Sequence, residues 1–344
     1  MIMHPAVIAL TFGSLAVGTM VLYSAYHAVA ILRHWDLTSG SETQLDLERR
    51  TYLVATIMSY AFIFQLLSLF LFIFTADRLS SLFVGAMCAA GTLNVNEFGY
   101  PAMILKVVNF ILGGTWLLLN YVDNRAPAYP LVKKKYAFLL FIAPFIATEA
   151  LLQGRYFLGL APNVITSCCG SLFGNEGQGT AAFMASLPPS TMAPLFYGMM
   201  AVTVALGLCF YLRGDREARR QNGMRLFGYG FAVATAVSFV VSISALISFI
   251  SPYFYELPTH HCPFCILKTE YHYVGYLLYF TLLGGVLGGT GVGVLMPARG
   301  VESLKTQVPR FQKRLSLVTI ALFLVFTLTV TSRMIFTEFR LVYP

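Results

Sequence analysis

Long apolar stretches recur along this chain and alternate with short polar segments. Eight of them contain about 20 or more mostly apolar residues, the length at which a helix crosses the roughly 30 Å hydrocarbon core of a bilayer. The strict alternation typical of outer-membrane strands is absent. The pattern predicts an all-α, polytopic membrane bundle that forms a single membrane domain over residues 1–344. The predicted spans are residues 5–32, 52–76, 100–122, 136–158, 190–212, 226–251, 273–297 and 315–336.

Composition and charge refine this picture. Hydrophobic residues make up 57% of the chain and charged residues only 11%, which lies outside the range of soluble domains. Seventeen of the 23 Lys and Arg residues fall in the first, third, fifth and seventh loops between the predicted spans. The positive-inside rule therefore predicts that both termini lie outside the cytoplasm. The basic residues form no single patch, which argues against nucleic-acid binding.

Five of the six cysteines fall in loops that are predicted to share the outer side of the membrane. These loops cover residues 77–99, 159–189 and 252–272. Cys209 is the exception, because it lies within the fifth predicted span, where a small buried thiol is the ordinary interpretation. Disulfides persist outside the cytoplasm, and we expect the loop cysteines to form one site. They are Cys88, Cys168, Cys169, Cys262 and Cys265.

Thiol chemistry is the first interpretation of this site. Cys262 and Cys265 form a C-x-x-C motif before the seventh predicted span, where the dipole of a helix N-terminus would favour the thiolate. Cys168 and Cys169 are adjacent, and a disulfide between such neighbours is strained. We therefore expect this pair to exchange with other thiols, with Cys88 as a resolving thiol or a ligand.

The stretch CPFCILKTEYHYVGY, residues 262–276, resembles the C-x-x-C segment that opens a helix in bacterial disulfide-bond-forming quinone reductases. Vitamin K epoxide reductases place a C-x-x-C motif similarly. These families pass electrons between an external cysteine pair, the helix-opening pair and a quinone. The resemblance is limited to this motif, and it implies that Cys262 and Cys265 would face a quinone.

A soft-metal site is the second interpretation. Thiolate, thioether and imidazole ligands select Cu(I) or Zn, and a C-x-x-C motif with neighbouring histidines resembles half of a zinc site. Covalent c-type haem is excluded because it requires C-x-x-C-H, whereas residue 266 is Ile. The candidate metal ligands are Cys88, Cys168, Cys169, His260, His261, Cys262, Cys265 and His272.

Structural disulfides are the third interpretation. Two disulfides joining the loops at 159–189 and 252–272 would restrict the unfolded loops and so stabilise an external cap. The chain would then be a non-enzymatic subunit of a larger membrane complex.

Two ionisable residues inside the predicted spans point to a polar site. Lys106 lies near the outer start of the third span, and Glu149 lies about two turns before the outer end of the fourth. Such groups are costly in hydrocarbon and usually face a cavity or a partner. An ion pair between them is one expectation; snorkelling of Lys106 and a helix–helix hydrogen bond of Glu149 are the alternatives.

The Gly-rich segment GGVLGGTGVGV, residues 284–294, lies inside the seventh predicted span and follows no strand. It therefore predicts close helix packing rather than a nucleotide site.

These observations together predict a multi-pass protein of the bacterial inner membrane that exchanges electrons between periplasmic thiols and a membrane quinone. Cu or Zn handling and an anchoring role in a complex remain alternatives. Expected partners are the lipid bilayer, a periplasmic protein that carries thiols or metal, and other membrane subunits. The catalytic candidates are Cys262, Cys265, Cys168, Cys169, Glu149 and Lys106.

Overall fold

Helices account for most of this computed structural model, and no strand occurs in the ranges it describes. Those ranges are residues 3–36, 41–126, 129–161, 164–166, 180–213 and 221–341. Eight helices are long and apolar enough to cross a membrane, which confirms the predicted all-α bundle. They are α1 (Pro5–His34), α2 (Glu42–Leu79), α3 (Gly99–Asp123), α4 (Val132–Leu158), α5 (Pro189–Arg213), α6 (Gln221–Ala245), α7 (Val274–Val294) and α8 (Gln307–Phe336).

Two helices extend well beyond their predicted apolar runs. Helix α2 begins ten residues earlier than predicted, because Ser41 caps it by accepting a hydrogen bond from the backbone N–H of Gln44 (3.4 Å). Helix α8 begins eight residues early, at Gln307. Both extensions consist mainly of polar residues, so hydrophobicity alone does not reveal them.

The helices of the predicted membrane domain group into two compact units. The first unit comprises residues 1–84, 92–165 and 298–308. Its four long helices close a ring in which α1 packs on α2 and α4, and α3 packs on the same two helices. Trp116, Phe62 and Tyr136 are fully buried in its core.

The second unit comprises residues 85–91, 166–297 and 309–344. Helix α6 packs against both α5 and α7. The Gly-rich segment of α7 is a packing surface, as predicted: a Cβ atom at Gly288 would overlap Thr319 of α8, and one at Gly289 would overlap Thr235 of α6.

Helix α6 ends in an irregular way that shapes the following loop. A π-helical segment, Leu246–Ile250, leads into the short helix Ser251–Tyr255. Glu256 then takes a left-handed conformation (φ 54°) and ends the helix. The loop beyond contains two 3-10 turns, Cys265–Leu267 and Thr269–Tyr271.

Candidate thiol site

Three cysteine side chains converge in the second unit. The Sγ atoms of Cys88 and Cys262 lie 3.5 Å apart, and those two sulfurs and the Sγ of Cys265 all lie within 4.8 Å of one another. Relative exposure is 0% for Cys88 and Cys262 and 7% for Cys265. The expected convergence of the loops at 77–99 and 252–272 is therefore present. Cys168 and Cys169, from the third predicted loop, lie outside the described residues.

Thr166 fixes the segment that carries Cys88. Its hydroxyl donates to the carbonyl of Gly91 (3.0 Å), and its own carbonyl lies where a Cβ atom would project from Gly85. Gly85 also has a φ of +89°, a conformation that side chains other than hydrogen disfavour. Both ends of the segment 85–91 are thereby held, which sets the position of the Cys88 sulfur.

Two tyrosine hydroxyls hold the C-x-x-C loop. The Tyr255 hydroxyl donates to the carbonyl of Cys262 and accepts from the backbone N–H of Ile266 (2.9 Å). The Tyr279 hydroxyl donates to the carbonyl of Pro263 (2.7 Å). These bonds satisfy buried backbone groups and fix the loop without using either sulfur.

The three candidate histidines have different surroundings. His261 is 4% exposed, and its Nδ1 lies 2.9 Å from the carbonyl of Ile247 in the π-helical segment. Because a carbonyl only accepts, Nδ1 carries the proton. The ring of His260 packs edge-on against Tyr255, whereas His272 is exposed. None of the three belongs to the three-sulfur group, which is the one metal-type cluster found among the described residues.

The C-x-x-C motif does not open the spanning helix, and this sequence prediction is wrong. Helix α7 begins at Val274, nine residues after Cys265. His272 (φ 52°) and Tyr273 (φ 56°) both take left-handed conformations directly before the helix, so the helix cannot extend back to the cysteines. The macrodipole argument for the two thiols therefore does not apply.

Tyr271 packs against Tyr255 in the same loop. Its ring lies 4.8 Å from that of Tyr255, between centroids. Burial raises the pKa of Tyr271, and the neighbouring Cys265 raises it further. The hydroxyl therefore stays protonated at neutral pH.

A buried ion pair lies in the first unit. Lys106 Nζ is 2.7 Å from Glu149 Oε1, with the two side chains 1% and 2% exposed. Lys106 also donates to Ser68 Oγ (3.2 Å), and Glu149 Oε2 accepts from Asn109 Nδ2 (2.6 Å) and from Gln65. The expected ion pair between α3 and α4 is confirmed, and the burial of Lys106 excludes snorkelling.

The sequence does not reveal a second buried ion pair. Lys135 is one of the basic residues of the third predicted loop, but it lies inside α4 and is 1% exposed. Its Nζ contacts Asp123 Oδ2 at 2.8 Å and Asn120 Oδ1 at 2.9 Å. The available signal was Asp123, the single acidic residue at the end of the third apolar run.

Three converging buried sulfurs are able to hold a thiophilic metal ion or to exchange a disulfide. No protein-family model matches the chain, and no curated protein or solved structure matches it either. The side chains described above are therefore the basis for assigning a function.

Proposed function

We propose that the chain is a membrane protein that binds one Cu(I) ion through Cys88, Cys262 and Cys265. The observation that carries this proposal is the convergence of three buried sulfurs within 4.8 Å of one another. Three thiolates about 2.3 Å from a shared ion lie about 4 Å from each other. The sulfurs thus need only small shifts to bind an ion.

The number of ligands favours Cu(I) over Zn. Structural zinc sites are almost always four-coordinate, whereas the group found among the described residues contains three sulfurs and no histidine or carboxylate. Thiolates bind both metals, so the number of ligands is the basis for preferring Cu(I). Burial of Cys88 and Cys262 would also keep water away from the ion.

The proposed setting is the bacterial inner membrane, with both termini and the thiol site outside the cytoplasm. The distribution of Lys and Arg among the loops supports this orientation. The site would then pass Cu(I) to or from a periplasmic metal-carrying protein. Cys168 and Cys169 fall in a loop predicted to lie on the same side, and they are candidates for the exchange.

Cu(I) titration of the full-length protein tests the proposal. The protein is purified in detergent, reduced without oxygen, and titrated against a colorimetric Cu(I) chelator. We expect one tightly bound Cu(I) per chain, with three sulfur neighbours at about 2.3 Å in X-ray absorption. Cys88→Ser, Cys262→Ser and Cys265→Ser should each weaken binding at least about tenfold, because each removes a ligand.

Cys209→Ser is the matched control, because Cys209 lies in α5 and outside the three-sulfur group. This variant should bind Cu(I) as the parent does. Equal Cu(I) affinity in the parent and in all three site variants, each with an unchanged thermal unfolding midpoint, would exclude the proposed site.

Disulfide exchange with a quinone is the second candidate, and the 3.5 Å contact between Cys88 Sγ and Cys262 Sγ favours it. Loss of two electrons and two protons from these thiols would form an S–S bond of about 2.05 Å. A quinone would accept both electrons and both protons and become the quinol. In this candidate Cys88 and Cys262 are the exchanging pair, because their sulfurs are already in contact.

Thiol counting separates the two candidates. A redox protein should lose two titratable thiols per chain on addition of a short-chain quinone, and Cys88→Ser should abolish that loss. A Cu(I) carrier should keep its thiols under the same treatment.

A further inference from the structure

A cavity of about 580 Å³ lies in the first unit, and none of the three cysteines lines it. It is bounded by the end of α1, the first turns of α2, the end of α3 and the start of α4. These four helix ends border the first and third loops, which belong to the basic loops predicted to lie on the cytoplasmic side. The volume is that of a typical small-molecule site, about 300–1,000 Å³.

One wall of the cavity is polar and well ordered. Asn120 Nδ2 donates to Ser59 Oγ (3.0 Å), and Asn120 Oδ1 accepts from Lys135 Nζ (2.9 Å). Thr51 Oγ1 is buried and has no hydrogen-bond partner among the described residues. The wall therefore offers a polar atom that no other described side chain satisfies.

The rim carries a guanidinium that has no partner among the described residues. Arg49 lines the cavity and is exposed, and no ion pair or hydrogen bond of its side chain occurs within the described ranges. The neighbouring Glu48 also lines the cavity, but its carboxylate accepts a hydrogen bond from Gln44 Nε2 (3.1 Å). The cavity thus has an available cation next to an anion that is already engaged.

Exposed apolar side chains also line the cavity. Tyr52 and Leu53 are 66% and 58% exposed, and they lie where the second apolar run of the sequence begins. Trp35 lines the same cavity, and Trp and Tyr are enriched at the level of the lipid head groups. The cavity therefore combines a charged residue with the start of a predicted span, which we expect to face hydrocarbon.

We propose that this cavity binds the head group of an anionic phospholipid, with the phosphodiester on Arg49 and an acyl chain along Tyr52 and Leu53. Arginine offers a planar fork of donors that matches phosphate oxygens, and basic pockets between spanning helices are known to take lipid head groups. A wholly apolar ligand would leave Arg49 and the Thr51 hydroxyl without partners.

Lipid titration followed by native mass spectrometry tests this proposal. The delipidated full-length protein in detergent is titrated with phosphatidylglycerol. We expect Arg49→Gln to bind the lipid about tenfold more weakly than the parent, as for loss of one charge-assisted hydrogen bond. Arg49→Lys, which keeps the charge but loses the fork, should fall between the two.

Arg50→Gln is the matched control. Arg50 is the next residue and carries the same charge, but it pairs with Asp46 (2.8 Å) and does not line the cavity. This variant should bind phosphatidylglycerol like the parent, and all variants should share one unfolding midpoint without lipid. An equal loss of lipid affinity in Arg49→Gln and Arg50→Gln would show that only the net charge matters, and it would overturn the proposal.

Inorganic phosphate distinguishes a lipid from a free anion. Phosphatidylglycerol should raise the thermal unfolding midpoint of the parent, whereas phosphate at the same concentration should not. An equal rise with phosphate alone, or parent-like lipid affinity in Arg49→Gln, would show that the cavity is not a phospholipid site.

Discussion

At the residue scale, one hydroxyl determines the shape of the C-x-x-C loop. Tyr255 bonds the carbonyl of Cys262 and the N–H of Ile266 at once, so it spans the motif from end to end. The sequence identifies Cys262 and Cys265 because their spacing is characteristic. It does not distinguish Tyr255 from the other aromatic residues of that segment, which an interfacial belt explains equally well.

Replacing Tyr255 with phenylalanine tests this role. Two buried backbone groups would lose their partner, at a cost of about 1–3 kcal/mol each, and the sulfurs would lose their fixed spacing. We expect Tyr255→Phe to lower the unfolding midpoint and to weaken Cu(I) binding about tenfold, measured by the chelator titration. Tyr253→Phe, on the same short helix, should change neither, because the Tyr253 hydroxyl makes no hydrogen bond to the described residues.

The two buried lysines show what the sequence reveals about polar side chains. Lys106 stands out in the sequence because it interrupts an apolar run, and its pairing with Glu149 follows from the similar depth of the two residues. Lys135 does not stand out, because Lys133 and Lys134 precede it in a basic loop. Only the helical phase of α4, which turns Lys135 inward toward Asp123, separates it from its neighbours.

At the element scale, helix α7 shows which helix boundaries the sequence predicts well. The apolar run sets its position to within one residue at the start, Val274. Its contacts on two sides come from glycines: Gly285 and Gly288 meet α8, and Gly289 meets α6. The left-handed residues before it carry side chains, so no glycine signals the turn that separates the helix from the cysteines.

Gly289→Ala should disturb the contact between α7 and α6. Its Cβ would overlap the Thr235 side chain and would lie 2.8 Å from the Thr235 Cβ, and overpacking of this kind costs about 1–3 kcal/mol. We expect a lower midpoint of thermal unfolding in detergent. Gly230→Ala in α6 is the control, since its Cβ would meet nothing within 4 Å and alanine favours the helix; an equal loss there would contradict this account.

At the scale of the whole molecule, all eight spans follow from hydrophobicity, because no other structure satisfies backbone groups in lipid over such lengths. The division into two compact units does not follow from it, since the pattern of apolar runs contains no information on which helices pack together. Because Lys135 is buried, it no longer counts among the basic loop residues that predict the orientation. The other Lys and Arg residues of the first, third, fifth and seventh loops still greatly outnumber those in the rest of the chain.

The proposed orientation makes a prediction for reporter fusions in a bacterial host. Alkaline phosphatase joined after Pro344 should be active, because the positive-inside rule places that terminus in the periplasm. The same enzyme joined after Lys305, in the basic segment before α8, should be inactive. The reverse result would place the three cysteines on the cytoplasmic side and remove the proposed periplasmic partner.

The unequal exposure of the three cysteine residues bears on how an ion would leave the proposed site. Cys88 and Cys262 have no exposed surface, whereas Cys265 retains 7%. If the chain binds Cu(I) as proposed, we expect an incoming thiolate to approach from the Cys265 side, add as a fourth donor, and displace Cys265 before the two buried ligands release. Handover would then proceed by stepwise associative substitution, with Cys265 as the leaving ligand, and the ion would never be free in solution.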